Sequence, residues 1–272
     1  SPGETMARKN SIRTFQRLRD EGTPITMVTA YDATFARLFD AAGVDAILVG
    51  DSLGNVIQGR GTTLPVTLDD VIYHTAAVVR GTDRAHVVAD MPFGSYGANV
   101  DDAVSNAVRL MKESGAQAVK LEGGRPFAPL VSRLVQVGIP VMGHLGFTPQ
   151  SVHRFGGHYL QGRGDNADAL IDDARSLEEA GAYAIVLELV PAPVAIRVTE
   201  DRSIPTIGIG AGAGTSGQVL VGYDMLGMNE DFSPKFLKCY AHLGQAIREA
   251  TEAYVAEVRE RAYPAPEHSF DE

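Results

Sequence analysis

Ala169-Leu170-Ile171-Asp172-Asp173-Ala174-Arg175-Ser176-Leu177-Glu178-Glu179-Ala180-Gly181-Ala182-Tyr183-Ala184-Ile185-Val186-Leu187-Glu188-Leu189 holds the unit from which most of this chain is built. Leu170, Ala174, Leu177 and Ala180 recur on one helical face, while Asp172, Asp173, Arg175, Glu178 and Glu179 occupy the rest. Gly181 comes just past them, where glycine tolerates the left-handed backbone that closes a helix. Residues 184–189 then form a short apolar run suited to a fully buried strand.

The same order of helix, glycine stop, short link and strand recurs on either side. Ala42-Gly43 and Ser114-Gly115 each stand a few residues before another apolar run. Strands are predicted at 25–30, 45–50, 86–91, 118–123, 140–145, 184–189 and 205–210, with a weaker eighth within 218–226. Seven or eight such units argue for parallel strands with crossover helices. At 272 residues, closing them into a (β/α)8 barrel is the best solution, and a doubly wound open sheet is the alternative. Residues 234–261 read as one or two helices, and a polar tail begins at Pro264. The reading is one barrel domain over 1–272, with an N-terminal helical extension.

Hydrophobic residues make up 44% and charged residues 21%, which suits a globular enzyme with a large core. The net charge of -10 argues against nucleic-acid or anionic-membrane partners. Cys239 is the single cysteine, in a stretch read as helix, so neither an internal disulfide nor a thiolate metal cluster is expected. The polar start, residues 1–10, has no apolar core of a signal peptide, so the cytoplasm is expected.

Five predicted strands finish on polar groups. They bring Asp51 and Ser52, Asp90, Lys120 and Glu122, His144, and Glu188 to their C-terminal ends. In a barrel these ends open onto one face, which carries the active site. Lys120 and Glu122 are two apart and leave the same face of their strand. Each residue also has a plain structural reading. Asp51 or Asp90 can cap a helix, Lys120 and Glu122 can pair, His144 can be a satisfied core histidine, and Glu188 can be a loop carboxylate. Together they are harder to dismiss, because an unpaired buried ion costs several kcal/mol. Carboxylates without thiolates suit a hard cation such as Mg2+, with Asp51 and Asp90 the better ligands and Glu122 reaching it directly or through water. A lone strand-end histidine makes catalytic zinc less favoured. Gly208-Ile209-Gly210-Ala211-Gly212 lacks the spacing of a dinucleotide fingerprint and reads as a tight loop. The glycines 54, 59 and 61 suggest a lid or an ordinary connection.

Longer stretches carry a resemblance. They include Val49-Gly50-Asp51-Ser52-Leu53-Gly54, Ala89-Asp90-Met91-Pro92-Phe93, Val119-Lys120-Leu121-Glu122-Gly123-Gly124 and Gly143-His144-Leu145-Gly146-Phe147-Thr148-Pro149-Gln150-Ser151. With Thr29-Ala30-Tyr31-Asp32, Gln161-Gly162-Arg163 and Glu267-His268-Ser269-Phe270, the chain resembles the ketopantoate hydroxymethyltransferase family over nearly its whole length. Ser216 departs from it, standing where an acidic residue is often found. The resemblance implies a barrel of the phosphoenolpyruvate/pyruvate type and a Mg2+ site at Asp51 and Asp90, supported by Glu122. It implies that the 2-oxo acid is held by Asp51, Ser52, Asp90, Lys120 and His144, with Glu188 as catalytic base. It also implies 5,10-methylenetetrahydrofolate as co-substrate and a homo-oligomer, commonly a decamer. The alternative is a Mg2+-dependent C–C lyase or mutase of the isocitrate lyase type. Such enzymes usually carry a loop cysteine, unlike Cys239. A Schiff-base aldolase using Lys120 and a non-catalytic 2-oxo-acid binder are further rivals.

Overall fold

A computed structural model describes residues 8–163 and 166–272. They separate into two compact units that divide after Val221. The first unit holds a closed barrel of eight parallel strands: β1 Ile25–Thr29, β2 Ala46–Val49, β3 His86–Asp90, β4 Ala118–Lys120, β5 Val141–Gly146, β6 Ala184–Glu188, β7 Thr206–Ile209 and β8 Gly217–Leu220. Each strand pairs with its sequence neighbour, and β8 closes on β1 through Ile25 opposite Gly217. The open-sheet alternative is therefore excluded. β8 was faint in sequence because its first residues are Gly217 and Gln218. Gly217 is required there, since a Cβ would come within 2.4 Å of the Ile25 carbonyl oxygen.

The alternation of side chains explains both the core and the site. Ala46 and Leu48, Val88, Ala118, Met142, Ala184 and Val186, Ile207 and Val219 share one buried cluster. Advancing two residues from Val88, Ala118, Met142 and Val186 reaches Asp90, Lys120, His144 and Glu188. The interior is thus apolar through its depth and polar at its C-terminal end. Helix Asn166–Ala180 covers the outside, where Leu177 lies so near β5 that a Cβ on Gly143 would meet it at 2.9 Å.

Helix Ile12–Glu21 closes the opposite end. Ser11 and Thr14 form its capping box, and Phe15 is fully buried. The Phe15 ring meets His86 and Tyr183 edge-on, each at 5.4 Å between centroids. His86 Nε2 and the Tyr183 hydroxyl share a 2.8 Å hydrogen bond. Burial lowers the His86 pKa to about 4, so this floor is neutral.

The second unit, Gly222–Glu272, contains the short helix Gly222–Met225 and the long helix Leu243–Arg259. Only part of the predicted 234–261 stretch is helical. Tyr240 N–H donates to the Met225 carbonyl and Leu243 N–H to that of Leu226, so these amides find partners outside a local helix. Cys239 accordingly lies in an irregular segment rather than a helix. Past Arg259, Tyr263 packs on Tyr254 and on His268. No helix among the described residues is long and apolar enough to cross a membrane. Residues 1–7 of the polar start lie outside the described residues.

Candidate active site

All seven strand-end residues meet at the C-terminal end of the barrel, and five are almost fully buried: Asp51, Asp90, Lys120, Glu122 and His144. Asp90 and Lys120 stand opposite each other in the β3–β4 register, and Lys120 Nζ lies 3.0 Å from Asp90 Oδ1. The ammonium therefore pairs with Asp90 rather than with Glu122 as sequence spacing suggested. Asp90 Oδ2 accepts a 2.8 Å hydrogen bond from Asp51 N–H. Neither aspartate caps a helix: Ser52 precedes helix Leu53–Val56, and that helix start has no side-chain cap.

Lys120 Nζ also donates to His144 Nδ1 at 2.8 Å, and His144 Nε2 is 2.9 Å from Glu188 Oε2. Burial, reinforced by the Lys120 charge, pushes the His144 pKa well below its usual value. The ring is thus neutral. Because Nδ1 accepts from the ammonium, the single ring proton sits on Nε2 and is donated to Glu188. His144 therefore links Lys120 to Glu188 with a fixed tautomer. Glu188 is more accessible than the five buried members, with 20% of its side chain exposed. Burial raises its pKa to about 7, partly opposed by Lys120.

Two uncharged residues that charge-seeking at strand ends missed hold the carboxylates in place. Gln150 Nε2 donates to Asp51 Oδ2 at 2.8 Å and to the Met91 carbonyl at 3.0 Å, while Gln150 N–H donates to Glu122 Oε2 at 3.0 Å. The Tyr96 hydroxyl accepts from Glu122 N–H and donates to Gln150 Oε1 at 2.6 Å. Gln150 sits in a motif that carried the resemblance. Tyr96 gave no signal at all. Ser52 Oγ is 2.7 Å from the Tyr31 hydroxyl, which in turn is 2.8 Å from Thr29 Oγ1. Gly50 makes room for this row, since a Cβ there would lie 2.9 Å from Ser52 Oγ.

Charge balance decides what else the site can hold. Three buried carboxylates, Asp51, Asp90 and Glu122, face one ammonium. Burial and the adjacent Asp90 push the Asp51 carboxyl up to about 7, and burial with Asp51 pushes Glu122 well above the usual range. Burial works against the Lys120 charge, but Asp90, Glu122 and Asp51 outweigh it and hold the ammonium above its usual pKa. Asp90 Oδ1 is buried without a hydrogen bond, its ion-pair contact being Lys120. A small oxygen-seeking cation fits this excess of negative charge. Among the described residues, no three His, Cys, Asp or Glu side chains form a group able to hold a metal by themselves. Mg2+ does not need one, because it takes one or two carboxylates and completes its shell with water or ligand oxygens.

The other sequence motifs fall outside this cluster. Ser216 bridges β7 and β1 through Thr206 N–H and Ile25 N–H, at the end away from the site. Gly212 packs its bare backbone on Ala192, where a Cβ would meet it at 2.7 Å, as a tight loop requires. Residues 58–60 fold back on the preceding short helix, with Arg60 N–H donating to the Gly54 carbonyl.

A family model described as ketopantoate hydroxymethyltransferase matches residues 9–266. A protein from Anaeromyxobacter sp. (strain Fw109-5), named 3-methyl-2-oxobutanoate hydroxymethyltransferase, is 55% identical over 97% of this chain and 88% of its own. One of the same name from Salinibacter ruber is 53% identical over 96% of this chain and 98% of its own. Among solved structures, 2,3-dimethylmalate lyase, titled a PEP mutase/isocitrate lyase superfamily member, has a TM-score of 0.61 and 16% identity over 96% of this chain and 92% of its own. Phosphonopyruvate hydrolase in complex with oxalate and Mg++ has a TM-score of 0.62 and 12% identity over 95% of this chain and 93% of its own. These two likenesses concern the fold.

Proposed function

The chain belongs to the ketopantoate hydroxymethyltransferase family and is an enzyme of that class, and from this premise we propose that it transfers a hydroxymethyl group from 5,10-methylenetetrahydrofolate to 3-methyl-2-oxobutanoate, with Mg2+ and with Glu188 as the base. The observation that carries the proposal is the chain of contacts from Asp90 through Lys120 and His144 to Glu188. The carboxylate of raised pKa at the end of that chain supports the reading of a base beside an anionic, oxygen-rich substrate.

In this reading Asp51 and Asp90 hold Mg2+, and Glu122 supports them directly or through water. Bound there, the metal would supply Lewis-acid stabilisation of the negative charge that develops on the 2-oxo acid. Lys120 offsets substrate charge in a protein of net charge -10. Ser52, oriented by Tyr31, and Lys120 are the donors that hold the substrate. Glu188 takes the proton from C3, and a pKa near 7 suits a base at neutral pH. His144 Nε2–H steadies the Glu188 carboxylate and faces it toward the substrate. The substrate carbanion then forms the C–C bond to the methylene carbon as the bond from that carbon to folate N10 breaks, N10 taking up the proton that C3 lost. Water then displaces N5 from the same carbon, its oxygen becoming the hydroxyl and its proton passing to N5, and tetrahydrofolate leaves. A Schiff-base role for Lys120 is disfavoured, because the adjacent carboxylates keep its amine charged.

The long helix Leu243–Arg259 leaves Ile247, Tyr254, Val255 and Val258 exposed, which supports a homo-oligomer, with a decamer following the family. A cytoplasmic setting fits a metabolic enzyme with one cysteine. The testing assay combines 3-methyl-2-oxobutanoate, methylenetetrahydrofolate and Mg2+, with and without EDTA. Ketopantoate should form and disappear with EDTA. Full turnover in EDTA would remove the metal from the account, and no ketopantoate under any condition would remove the reaction.

A further inference from the structure

We infer that the large cavity beside the catalytic cluster receives the folate co-substrate, with Asp173 recognising the amino edge of the pteridine and Arg154 its anionic tail. This rests on the methylenetetrahydrofolate reading above. The cavity holds about 800 Å3 and is bounded by the segments that follow β3, β4 and β5 and by helix Asn166–Ala180. Glu122 and Gln150 belong to its lining and also to the catalytic cluster. A ligand filling it therefore borders the buried carboxylate cluster at Glu122. The volume is far more than a small branched 2-oxo acid occupies and lies within the roughly 300–1,000 Å3 typical of drug-sized ligands.

The lining selects a flat ring with hydrogen-bond donors along one edge. Tyr96 and Phe127 meet at 5.7 Å and 65°, and Phe155 adds another aromatic surface. Asp173 is held as a fixed acceptor. Its Oδ1 accepts Arg125 N–H at 2.9 Å, and the bare backbone of Gly124 lies against the carboxylate, where a Cβ would come within 2.3 Å of Asp173 Cγ. Each carboxylate oxygen has two acceptor sites, so one remains on Oδ1 and two on Oδ2. The 2-amino group and N3–H of a folate pteridine are adjacent donors that match such a carboxylate in bidentate fashion. The other end of folate is a carboxylate-bearing glutamate. An acidic protein repels it unless a cation is placed for it, and Arg154 is an exposed cation on the lining of this cavity.

Asp173 also serves the backbone through Arg125, so the test must separate ligand recognition from that local role. Asp173→Asn keeps an acceptor for Arg125 N–H but sets an amide donor against the donor edge of the pteridine. Arg154→Gln removes only the charge. Binding of tetrahydrofolate and of 6-methyltetrahydropterin, which lacks the tail, is titrated for wild type and both variants, alongside the KM for the 2-oxo acid. We expect Asp173→Asn to weaken both pteridines about 10- to 100-fold with that KM unchanged. Arg154→Gln should weaken tetrahydrofolate alone. Wild-type affinities in both variants would overturn the assignment and leave the reaction standing. If Asp173→Asn does not fold, Arg154→Gln decides, through whether tetrahydrofolate loses its advantage over the tailless pterin. A wild-type enzyme that exchanges the C3 proton yet neither binds tetrahydrofolate nor uses its methylene form would defeat the donor reading, and the pocket assignment with it.

Discussion

The two ends of the barrel use the same side chains for opposite ends. At the N-terminal end, Asp40 accepts N–H groups from Asp83, Arg84 and Ala85 at 2.8–3.3 Å, and Glu178 accepts Ser203 and Ile204 N–H groups and the Arg202 guanidinium. Burial works against both charges, but these donors outweigh it and hold both carboxyls below their usual range. Each acid sits near the end of a helix and ties down the backbone before a later strand, β3 or β7. At the C-terminal end, Asp51, Glu122 and Glu188 are pushed up by burial, with Asp51 raised further by Asp90 and Glu122 by Asp51. One end satisfies its carboxylates with the chain's own amides. The other leaves them in want of a cation, a proton or a substrate, and that unsatisfied charge is the capacity for chemistry.

The comparison breaks most visibly if a site carboxylate proves structural. If Asp51 is the metal ligand proposed above, Asp51→Asn should lower kcat/KM by about 10³-fold or more. It should also raise the metal-free melting temperature by about 2–4 °C, since it removes one of several mutually repelling charges. A melting temperature that falls, with activity kept, would make Asp51 a structural cap like Asp40. The base supplies the next largest effect. With the Glu188 pKa near 7 in the free protein, kcat/KM should rise with pH through that value and fall about tenfold per unit below it. A limb near 4 in the pH–rate profile would detach Glu188 from the chemistry.

The smallest effect on turnover belongs to the other end. Asp40→Ala and Glu178→Ala should each lower unfolding stability by about 1–3 kcal/mol and leave kcat/KM within about twofold. The sign with pH follows from their depressed pKa values. Their stabilisation is present above the unfolded carboxyl value of about 4 and is lost as pH falls below it. Urea titrations should therefore show the variants converging on wild type in acid. Divergence in acid would contradict the cradle.

How much of this was legible follows from what each residue does. The strands were readable because buried parallel strands are short and apolar, and Asp51, Asp90, Lys120, Glu122, His144 and Glu188 stood out against that background. Their partners did not follow from spacing: Lys120 chose Asp90 across the sheet over Glu122 along it, which needs the β3–β4 register. Tyr96 carries no charge and lies in a loop, and Gln150, in the single-turn 3-10 helix Pro149–Ser151, stood only inside a motif of the resemblance, so neither was tied to the carboxylates it holds before those were placed. Asp40 and Glu178 look like ordinary helix-surface acids until the following strand comes beside them. Cys239 was misread as helical because its apolar neighbours have helical spacing, whereas Tyr240 and Leu243 donate to Met225 and Leu226 instead.

The central claim is that the Lys120–His144–Glu188 chain presents a base to C3 of the 2-oxo acid. Exchange of the C3 proton of 3-methyl-2-oxobutanoate in D2O, with Mg2+ and without folate, measures that step alone. Wild type should exchange it, and Glu188→Gln should slow the exchange about 10²- to 10⁴-fold while still binding the 2-oxo acid. Exchange by Glu188→Gln at the wild-type rate would contradict the account.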